Sequence, residues 1–389
     1  MTKKLADLLF LGAILLILTA GLVSTLLFPD EINDYENRYA NQIPAFTLEG
    51  WLDGSFQQGV DDALSDQVTL STTFKRIYNF VRTKSLWPAV ASISKSHPDR
   101  YVSYGSIWLF GGENLVYGPA SMDYLTDSLD ARIYNCNETF AQLSDTEFYV
   151  YHVGTDNTVN FETGEKTPVY EYLRDWLELP EDRIARFAFD DFETYSGLFY
   201  RTDHHWNHRG SYRGYLEVLK LLGVEDEPLV PLEEVTLPGR FSGSKASAVG
   251  LEEIEETAAL YRFDFPDLTV RINGRSAEDY GAQSRFLSGQ GGNSTYGSIY
   301  GWDDGEVILS GGKPGGENIL LIGESYDNAL LKLLACHFDN LYAVDLRNYS
   351  TWMGEDFQLS AYLEEHDIGK VLLIGSNGYF TVDEFRLEG

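Results

Sequence analysis

Cysteine and basic residues are both scarce in this sequence of 389 residues. The two cysteines, Cys136 and Cys336, are too few for a disulfide-built scaffold, and they can either pair or remain as buried free thiols. Lysine and arginine total 29 against 60 aspartates and glutamates, so the formal net charge is -31. Nucleic-acid binding depends on clustered positive charge, which excludes nucleic acid as a partner. A soluble acidic surface is the simple interpretation of this charge.

Charge is absent altogether from one long stretch near the N-terminus, Leu8 to Phe28. Its length suffices to cross roughly 30 Å of hydrocarbon as a helix. Because Lys3 and Lys4 precede it and Asp30 follows it, we expect a single-pass anchor in the cell membrane with a cytoplasmic N-terminus. The rest of the chain would then lie outside the cytoplasm. A cleaved signal peptide is the alternative, although Thr19-Ala-Gly21 is a poor cleavage pattern.

Short apolar runs alternate with stretches of helical periodicity beyond residue 100. This alternation predicts an α/β fold with a mostly parallel sheet covered on both faces. We divide the chain into residues 1–30, a cytoplasmic tip and anchor; residues 31–100, a helical segment packed on the body; and residues 101–389, the α/β domain. At about 225–316 the rhythm breaks, which predicts a loop-rich insertion with a few antiparallel strands. The predicted strands are Gly105–Phe110, Phe148–Val153, Arg186–Phe189, Ile319–Ile322, Leu341–Leu346 and Val371–Ile374.

Two distant stretches supply the groups of a nucleophilic triad. Asp203 lies two residues before His205, so in an extended segment its carboxylate can reach one ring nitrogen and leave the other as a base. Ser325 follows the apolar run that ends at Gly323, and a helix-like stretch begins soon after at Asn328. A serine at such a strand-turn-helix has the geometry of a nucleophile elbow. A helix-capping serine and a structural Asp-x-His contact are the alternative interpretation.

Other residues are candidates for stabilising the oxyanion or contacting the substrate. The backbone N–H of Ser325 or Tyr326 would be a first oxyanion donor, and Asn377, after the last strand, a second. We add Asn328, which follows the serine, as a further candidate. Arg347 can bind an anionic substrate group or form a structural salt bridge with a nearby carboxylate. Trp206 can stack on a sugar or pack in the core.

The histidines around the proposed base also permit a metal site. His204, His205 and His208, with Asp203, have ligand chemistry at close spacing. No Cys or Glu motif of a recognised zinc type accompanies them, and adjacent His204 and His205 would point apart in an extended segment. We therefore expect no metal and no cofactor.

The tetrapeptide Asp203-His-His-Trp206 resembles the signature of the bacterial DHHW protein family. Matching stretches occur in the expected order: Tyr35–Arg38 before it, then Gln290–Asn293, Ile319–Asn328 and Val344–Arg347. The family is similar to the SGNH-hydrolase-like alginate O-acetyltransferases, in which an Asp-x-His-Trp loop and a Ser-Tyr serine form the triad. The resemblance covers most of the chain and implies a three-layer SGNH-like α/β domain.

Carried over to this chain, the resemblance implies a triad of Ser325, His205 and Asp203. The relatives acetylate exported polysaccharides, often with acetyl groups relayed by a membrane-bound O-acyltransferase. We therefore expect an extracytoplasmic serine O-acetyltransferase or acetylesterase that acts on a cell-surface or exported polysaccharide, with such an acyl donor as partner. The chain departs from the family pattern at Glu324 and Asp327. Because extra carboxylates disfavour an oxyanion, a catalytically inactive glycan-binding or scaffold protein in cell-envelope assembly is the alternative.

Overall fold

A computed structural model of the protein describes residues 38–67, 71–251, 254–382 and 387, with residues 10–12, 14–16, 19–21, 23, 29, 32 and 33. The chain divides into two compact units, Met1–Pro88 and Ala89–Gly389. Among the described residues, no helix combines the length and apolarity needed to cross a membrane. About half of the predicted anchor, Leu8–Phe28, lies outside the described residues, as does most of Tyr35–Arg38. The anchor therefore stays a prediction.

The first unit contains a short antiparallel pair, β1 (Ile32–Asn33) and β2 (Arg38–Tyr39). Helical periodicity in the following stretch is confirmed, but it produces separate helices rather than one. The first of these ends where Gly54 adopts a φ of 91°, a left-handed conformation that glycine tolerates without steric cost. The helices are Leu48–Asp53, Ser55–Gln67 and Ser71–Ser96, the last of which ends beyond the boundary of the unit.

The strands of the second unit are β3 Val102–Tyr104, β4 Ile107–Phe110, β5 Asn114–Val116, β6 Glu147–Val153, β7 Ile184–Phe187, β8 Glu233–Thr236, β9 Ala259–Arg262, β10 Thr269–Ile272, β11 Arg275–Ala277, β12 Glu306–Ser310, β13 Asn318–Gly323, β14 Asn340–Val344 and β15 Lys370–Gly375. Eight of them form one sheet in the order β11-β10-β12-β14-β13-β15-β6-β7. From β14 to β7 neighbouring strands are parallel, whereas β12, β10 and β11 are added antiparallel.

Helices cover both faces of this sheet and form three layers with it. Successive residues of a strand point to opposite faces, and in the parallel strands both sets are apolar, as expected for a sheet buried on both sides. In β13, Ile319 and Leu321 belong to one buried cluster, whereas Leu320 and Ile322 belong to the other. The helices of the unit are Met122–Gln142, Val169–Trp176, Phe192–Leu198, His208–Leu221, Ser244–Ala248, Gln283–Leu287, Tyr296–Tyr300, Leu331–Ala335, Tyr349–Met353, Leu359–Glu365 and Asn377–Thr381, with 3-10 turns at Glu181–Arg183 and Asp327–Ala329.

The stretch predicted as a loop-rich insertion, residues 225–316, contributes directly to the central sheet. Its strands β10, β11 and β12 form one edge, and β12 pairs along its whole length with β14. The prediction of antiparallel strands is confirmed. Their place in the main sheet was not predicted, because these strands are short and their pairing partners are distant in sequence.

Candidate active site

Ser325 lies at the carboxyl edge of the central sheet, immediately beyond β13. The strand ends at Gly323, and the turn is closed by a hydrogen bond of 2.9 Å from the N–H of Asp327 to the carbonyl of Glu324. A Cβ at Gly323 would lie 2.4 Å from Oδ2 of Asp327 and 2.9 Å from the carbonyl oxygen of Ile374, so glycine allows both groups to approach the end of the strand this closely. The result is a half-buried serine on a strand-to-helix turn, as the sequence predicted.

Asp203 and His205 lie in the loop between helices Phe192–Leu198 and His208–Leu221. The loop is fixed at its end by Trp206, which is fully buried and pairs with Phe199 in an isolated bridge. Asn207 then begins the second helix, because its side chain accepts hydrogen bonds from two backbone N–H groups of the first turn. These contacts fix the position of the loop end that follows His205.

The structure brings the three predicted triad residues into one hydrogen-bonded line. Oγ of Ser325 lies 2.7 Å from Nε2 of His205, and Nδ1 of His205 lies 2.7 Å from Oδ1 of Asp203. Since the carboxylate can only accept, Nδ1 carries the proton and Nε2 presents its lone pair to the serine hydroxyl. Proton transfer needs heavy atoms about 2.6–3.2 Å apart. The arrangement can therefore take the hydroxyl proton of Ser325 during attack on an acyl carbon.

Asp203 is held as a buried carboxylate. Burial by itself raises the pKa of such a group, but the neighbouring His205, His204 and the N–H of Ser244 outweigh it, so the pKa of Asp203 is lowered. The N–H of Ser244 donates to Oδ2 at 2.7 Å, and the N–H of His205 donates to Oδ1 at 3.0 Å. A negative charge thus faces the imidazole throughout the neutral pH range, where it can stabilise an imidazolium.

Three supporting contacts were not predicted from the sequence. The ring of Tyr296 stacks on that of His205, with 3.7 Å between centroids and 3° between planes. Ser244 binds Asp203 through its N–H and lies 2.7 Å from Nδ1 of His204 through its hydroxyl. These residues belong to stretches rich in Gly and Ser that carry no periodicity. The helix that carries Tyr296 begins with a capping box formed by Thr295 and Ser298, which is the local sequence signal for its start.

The predicted oxyanion candidates differ in whether their hydrogen-bond donors are free. Among the described residues, no hydrogen bond engages the backbone N–H of Ser325 or Tyr326, so both remain available as donors. The Tyr326 hydroxyl is committed, because it donates to the carbonyl of His204 at 2.7 Å. Asn328 is also committed: its oxygen accepts from Tyr280 and its amide nitrogen faces two backbone carbonyls. Its side chain therefore serves the fold, contrary to the expectation of a substrate contact.

Asn377 is buried beneath the same edge with both ends of its amide occupied. Its Oδ1 lies 2.8 Å from Nε2 of His152, and its Nδ2 donates to Oδ1 of Asn157 at 3.1 Å. One of the two N–H groups of this amide is thereby committed, and the role of Asn377 as an oxyanion donor stays a prediction. The backbone turn after β13 is therefore the better-supported donor.

Trp206 and Arg347 are placed away from the substrate roles considered for them. A sugar-stacking role for Trp206 is wrong, because its side chain has 0% exposure and packs edge-on against Tyr326 and Phe187. Arg347 forms a bidentate ion pair with Asp345, with contacts of 2.6 and 2.9 Å, and lies 3.1 Å from Asp303. The structural salt bridge is therefore the correct alternative for Arg347.

The histidine loop also brings possible metal ligands together. Side-chain atoms of Asp203, His204 and His205 lie within 4.8 Å of one another, whereas His208 is directed toward Glu234. The expectation that His204 and His205 point apart is wrong, because their ring centroids are 3.8 Å apart. The segment is bent rather than extended. Both nitrogens of His205 are already engaged within the triad, so a metal there would displace the serine contact.

The two departures from the family pattern behave differently. Glu324 accepts a hydrogen bond of 2.6 Å from the N–H of Ser376. Asp327 is buried, and its pKa is raised well above the ordinary value by burial and by the nearby carboxylates of Asp345 and Asp303. It therefore favours the neutral acid, which adds less negative charge beside Ser325 than the sequence suggested.

No protein-family model and no curated protein matches the sequence. Solved structures do match. Bacillus cereus PatB1 with a sulfonyl adduct is 18% identical, with a TM-score of 0.54 over 73% of this chain and 97% of that chain. A DHHW family protein from Eubacterium siraeum is 16% identical, with a TM-score of 0.55 over 72% and 94%. The O-acetyltransferase domain of Pseudomonas putida AlgJ is 12% identical, with a TM-score of 0.41 over 72% and 93%.

At these identities the first two matches establish a shared fold. The fold-level resemblance to the DHHW family, predicted from the tetrapeptide Asp203–Trp206 and the stretches that follow it, is thereby confirmed. The roles of the individual site residues stay predictions.

Proposed function

We propose that this protein is a serine-dependent O-acetyltransferase or acetylesterase that acts on a polysaccharide. The observation that carries the proposal is the line from Ser325 through His205 to Asp203, with both hydrogen bonds at 2.7 Å. An isolated serine hydroxyl is a weak nucleophile at neutral pH, and a positioned base with an orienting carboxylate is what activates it. The likeness of the fold to a DHHW family protein supports the same reading.

The chemistry follows from the geometry. Oγ of Ser325 attacks the carbonyl carbon of an acetyl ester while Nε2 of His205 takes its proton, and Asp203 stabilises the resulting imidazolium. The tetrahedral oxyanion would accept hydrogen bonds from the backbone N–H groups of Ser325 and Tyr326. Its collapse breaks the ester bond, and the leaving alcohol takes the proton from His205. A sugar hydroxyl then attacks the acetyl-serine, returns a proton through His205 and leaves as the acetylated sugar; water in its place gives acetate.

The test is acetyl transfer by purified full-length protein from 4-nitrophenyl acetate to an oligosaccharide acceptor. We expect release of 4-nitrophenolate together with acetylated oligosaccharide detected by mass spectrometry, and loss of both in Ser325→Ala. Equal rates for the two proteins would refute the proposal. Release of nitrophenolate without acetylated sugar would assign the site to hydrolysis.

An inactive glycan-binding or scaffold protein is the second candidate. The observation in its favour is that the side-chain amides of Asn328 and Asn377 both bind other groups of the protein, so an oxyanion would depend mainly on backbone donors. The same assay separates the two, because a scaffold would bind the oligosaccharide and turn over no ester in either variant.

For the location, we propose that Leu8–Phe28 anchors the chain in the cell membrane with the catalytic unit outside the cytoplasm, where a membrane-bound O-acyltransferase would supply acetyl groups. The uncharged stretch and the preceding lysines support this orientation. Protease added to intact cells should degrade the second unit; full protection that persists until lysis would contradict the proposed orientation.

A further inference from the structure

A buried ion pair adjoins the residue whose N–H binds the triad carboxylate, and the chemistry proposed above does not use it. The ammonium group of Lys245 donates to Oδ2 of Asp156, and the two side chains are 0% and 1% exposed. Lys245 belongs to the short helix Ser244–Ala248, whereas Asp156 follows β6. We call these two residues the Lys–Asp pair.

Stability alone does not explain the Lys–Asp pair. Taking two charges out of water is costly, and apolar residues of similar volume in their place often leave a protein equally stable or more stable. Two further polar groups surround the pair: the N–H of Tyr117 donates to Oδ2 of Asp156 at 2.8 Å, and the hydroxyl of Tyr195 lies 3.2 Å from Nζ of Lys245. Oδ1 of Asp156 nevertheless has no hydrogen-bond partner among the described residues. What the pair does supply is a set of directional hydrogen bonds, which fix two segments of the chain relative to each other.

The helix Ser244–Ala248 depends on such contacts for its position. It has five residues and no side-chain cap at its start, and helices this short are not stable by themselves. Two backbone hydrogen bonds join it to the loop that carries the triad acid. The N–H of Ser244 donates to Oδ2 of Asp203 at 2.7 Å, and the N–H of Ala246 donates to the carbonyl of Thr202 at 3.1 Å. The carboxylate is therefore oriented only as firmly as the helix itself is held.

The Lys–Asp pair connects this helix to the sheet edge at which the candidate nucleophile lies. Asp156 follows β6, β6 pairs with β15, and β15 pairs with β13, the strand that precedes Ser325. The N–H that binds Oδ2 of Asp203 is thus tied to the same parallel strands that position Ser325. A shift of the helix would turn the Asp203 carboxylate and weaken its hydrogen bond to Nδ1 of His205.

We propose that Lys245 and Asp156 are positioning residues for the triad. Their ion pair holds the N–H of Ser244 against Asp203, whose carboxylate in turn orients the ring of His205. The proposal rests on the function proposed above for Ser325. Because both side chains of the pair are fully buried, neither can contact a substrate. Loss of the pair should therefore lower kcat and leave KM little changed.

The test replaces both charges together in the full-length protein, as Lys245→Met with Asp156→Leu. A single substitution would leave one buried charge without its partner, which is strongly destabilising, whereas the apolar double variant should melt at or above the temperature of the wild type. We expect kcat for hydrolysis of 4-nitrophenyl acetate to fall by about ten- to a hundredfold, the size of effect that a misplacement of about 1 Å produces. A folded double variant with wild-type kcat, or with a change in KM alone, would overturn the proposal.

A second variant restores a polar contact without restoring the charges. In Lys245→Gln with Asp156→Asn, the two amides can still form a hydrogen bond between the helix and the loop after β6. We expect this variant to lose less kcat than the apolar one. The control is Lys370→Met, which removes an ion pair of 2.7 Å with Glu317 at the start of β15, the opposite edge of the sheet. It should keep wild-type kcat, and an equal loss there would show that the effect is not specific to the Lys–Asp pair.

The Asp203→Asn background shows whether the pair acts through the triad acid. If the pair works by orienting the Asp203 carboxylate, the apolar double replacement should lower kcat much less in this background than in the wild type, because the carboxylate is already absent. Ester hydrolysis is measured above the rate in buffer for both. General damage to the fold would lower kcat by the same factor in both backgrounds, and that result would refute the positioning role.

These outcomes separate the inference from the proposed function. Ester hydrolysis by the wild type that persists unchanged in the apolar double variant would overturn the positioning role and leave the proposed enzyme standing. A wild-type protein without ester turnover would overturn the proposed function, and this inference with it.

Discussion

Asp203→Asn is the substitution whose effect the structure defines most closely. It preserves the shape of the side chain but replaces one acceptor oxygen by an amide NH2. Asp203 is fully buried and accepts three N–H groups: Oδ1 receives Nδ1 and the backbone N–H of His205, and Oδ2 receives the N–H of Ser244 at 2.7 Å. Asparagine has one oxygen, so its NH2 must face a donor on one of the two sides.

Either orientation of the amide damages the site. If the NH2 faces Ser244, a buried backbone donor loses its acceptor, at a cost of roughly 1–3 kcal/mol in the free energy of unfolding. If it faces His205, the imidazole must present a lone pair at Nδ1 and carry its proton at Nε2, where it can no longer accept from Ser325. The charge that stabilises the imidazolium is lost in both cases. In a serine protease triad the corresponding change lowers kcat by about 10⁴, which corresponds to about 5.5 kcal/mol.

The assay is hydrolysis of 4-nitrophenyl acetate by the full-length protein, with melting temperature measured alongside to verify folding. Asp191→Asn is the matched control. Asp191 also accepts a backbone N–H, from Thr194 at 2.8 Å, but it caps the helix Phe192–Leu198 on the surface, where asparagine caps equally well. We expect the control to remain active and Asp203→Asn to lose at least about a thousandfold in kcat. A folded Asp203→Asn protein with more than about a tenth of wild-type kcat would refute the assigned role.

Three further changes test separate features of the fold and site. Tyr296→Leu should lower kcat for ester hydrolysis up to about tenfold, because a stacked aromatic pair contributes about 0.5–1.5 kcal/mol. Tyr296→Phe keeps the ring and should keep most activity. If both variants lose the same activity, stacking of the ring on His205 is not the cause. Gly243→Ala would put a Cβ 2.1 Å from the carbonyl oxygen of Thr202, so urea unfolding should show a loss of about 1–3 kcal/mol, and unchanged stability would contradict this close packing. Burial lowers the pKa of His152 to about 4. Between about pH 6.5 and pH 4 the histidine is therefore protonated in the unfolded chain but neutral in the folded protein. As the pH falls through this range, the free energy of unfolding should decrease by on the order of 3 kcal/mol. In His152→Gln this decrease should vanish, and an unchanged dependence of the free energy of unfolding on pH would contradict the assignment to His152.

The parallel half of the sheet was predictable because its strands carry a strong local signal. Ile319–Ile322 and Val371–Ile374 are continuous apolar runs, and the structure places them in β13 and β15 with all of these side chains buried. Such runs are typical of strands covered on both faces. The antiparallel edge was not predictable in the same way. Glu306–Ser310 becomes a sheet strand only through its pairing with β14 and β10, partners that the local sequence does not identify.

In the candidate site, too, the residues with a strong local signal were predictable and the others were not. Asp203, His205 and Ser325 could be selected because each stands in a distinctive local motif whose chemistry is incomplete without the others. Tyr296 and Ser244 could not be selected, because they contribute a ring face and a backbone N–H, and neither contribution can be recognised from the sequence. Trp206 shows the opposite limit: its motif is distinctive, but its residue type alone does not reveal that the ring is buried.

The central claim is that Ser325 is the nucleophile, and covalent labelling tests it most directly. A sulfonyl fluoride is a suitable reagent, because it reacts with a serine hydroxyl that an adjacent base activates. The full-length protein is treated with the reagent, digested and mapped by mass spectrometry. We predict a single sulfonylated residue, Ser325, with labelling lost in Ser325→Ala and strongly slowed in His205→Ala. An unlabelled Ser325 peptide in the wild-type protein, or a labelling rate unaffected by His205→Ala, would contradict the account.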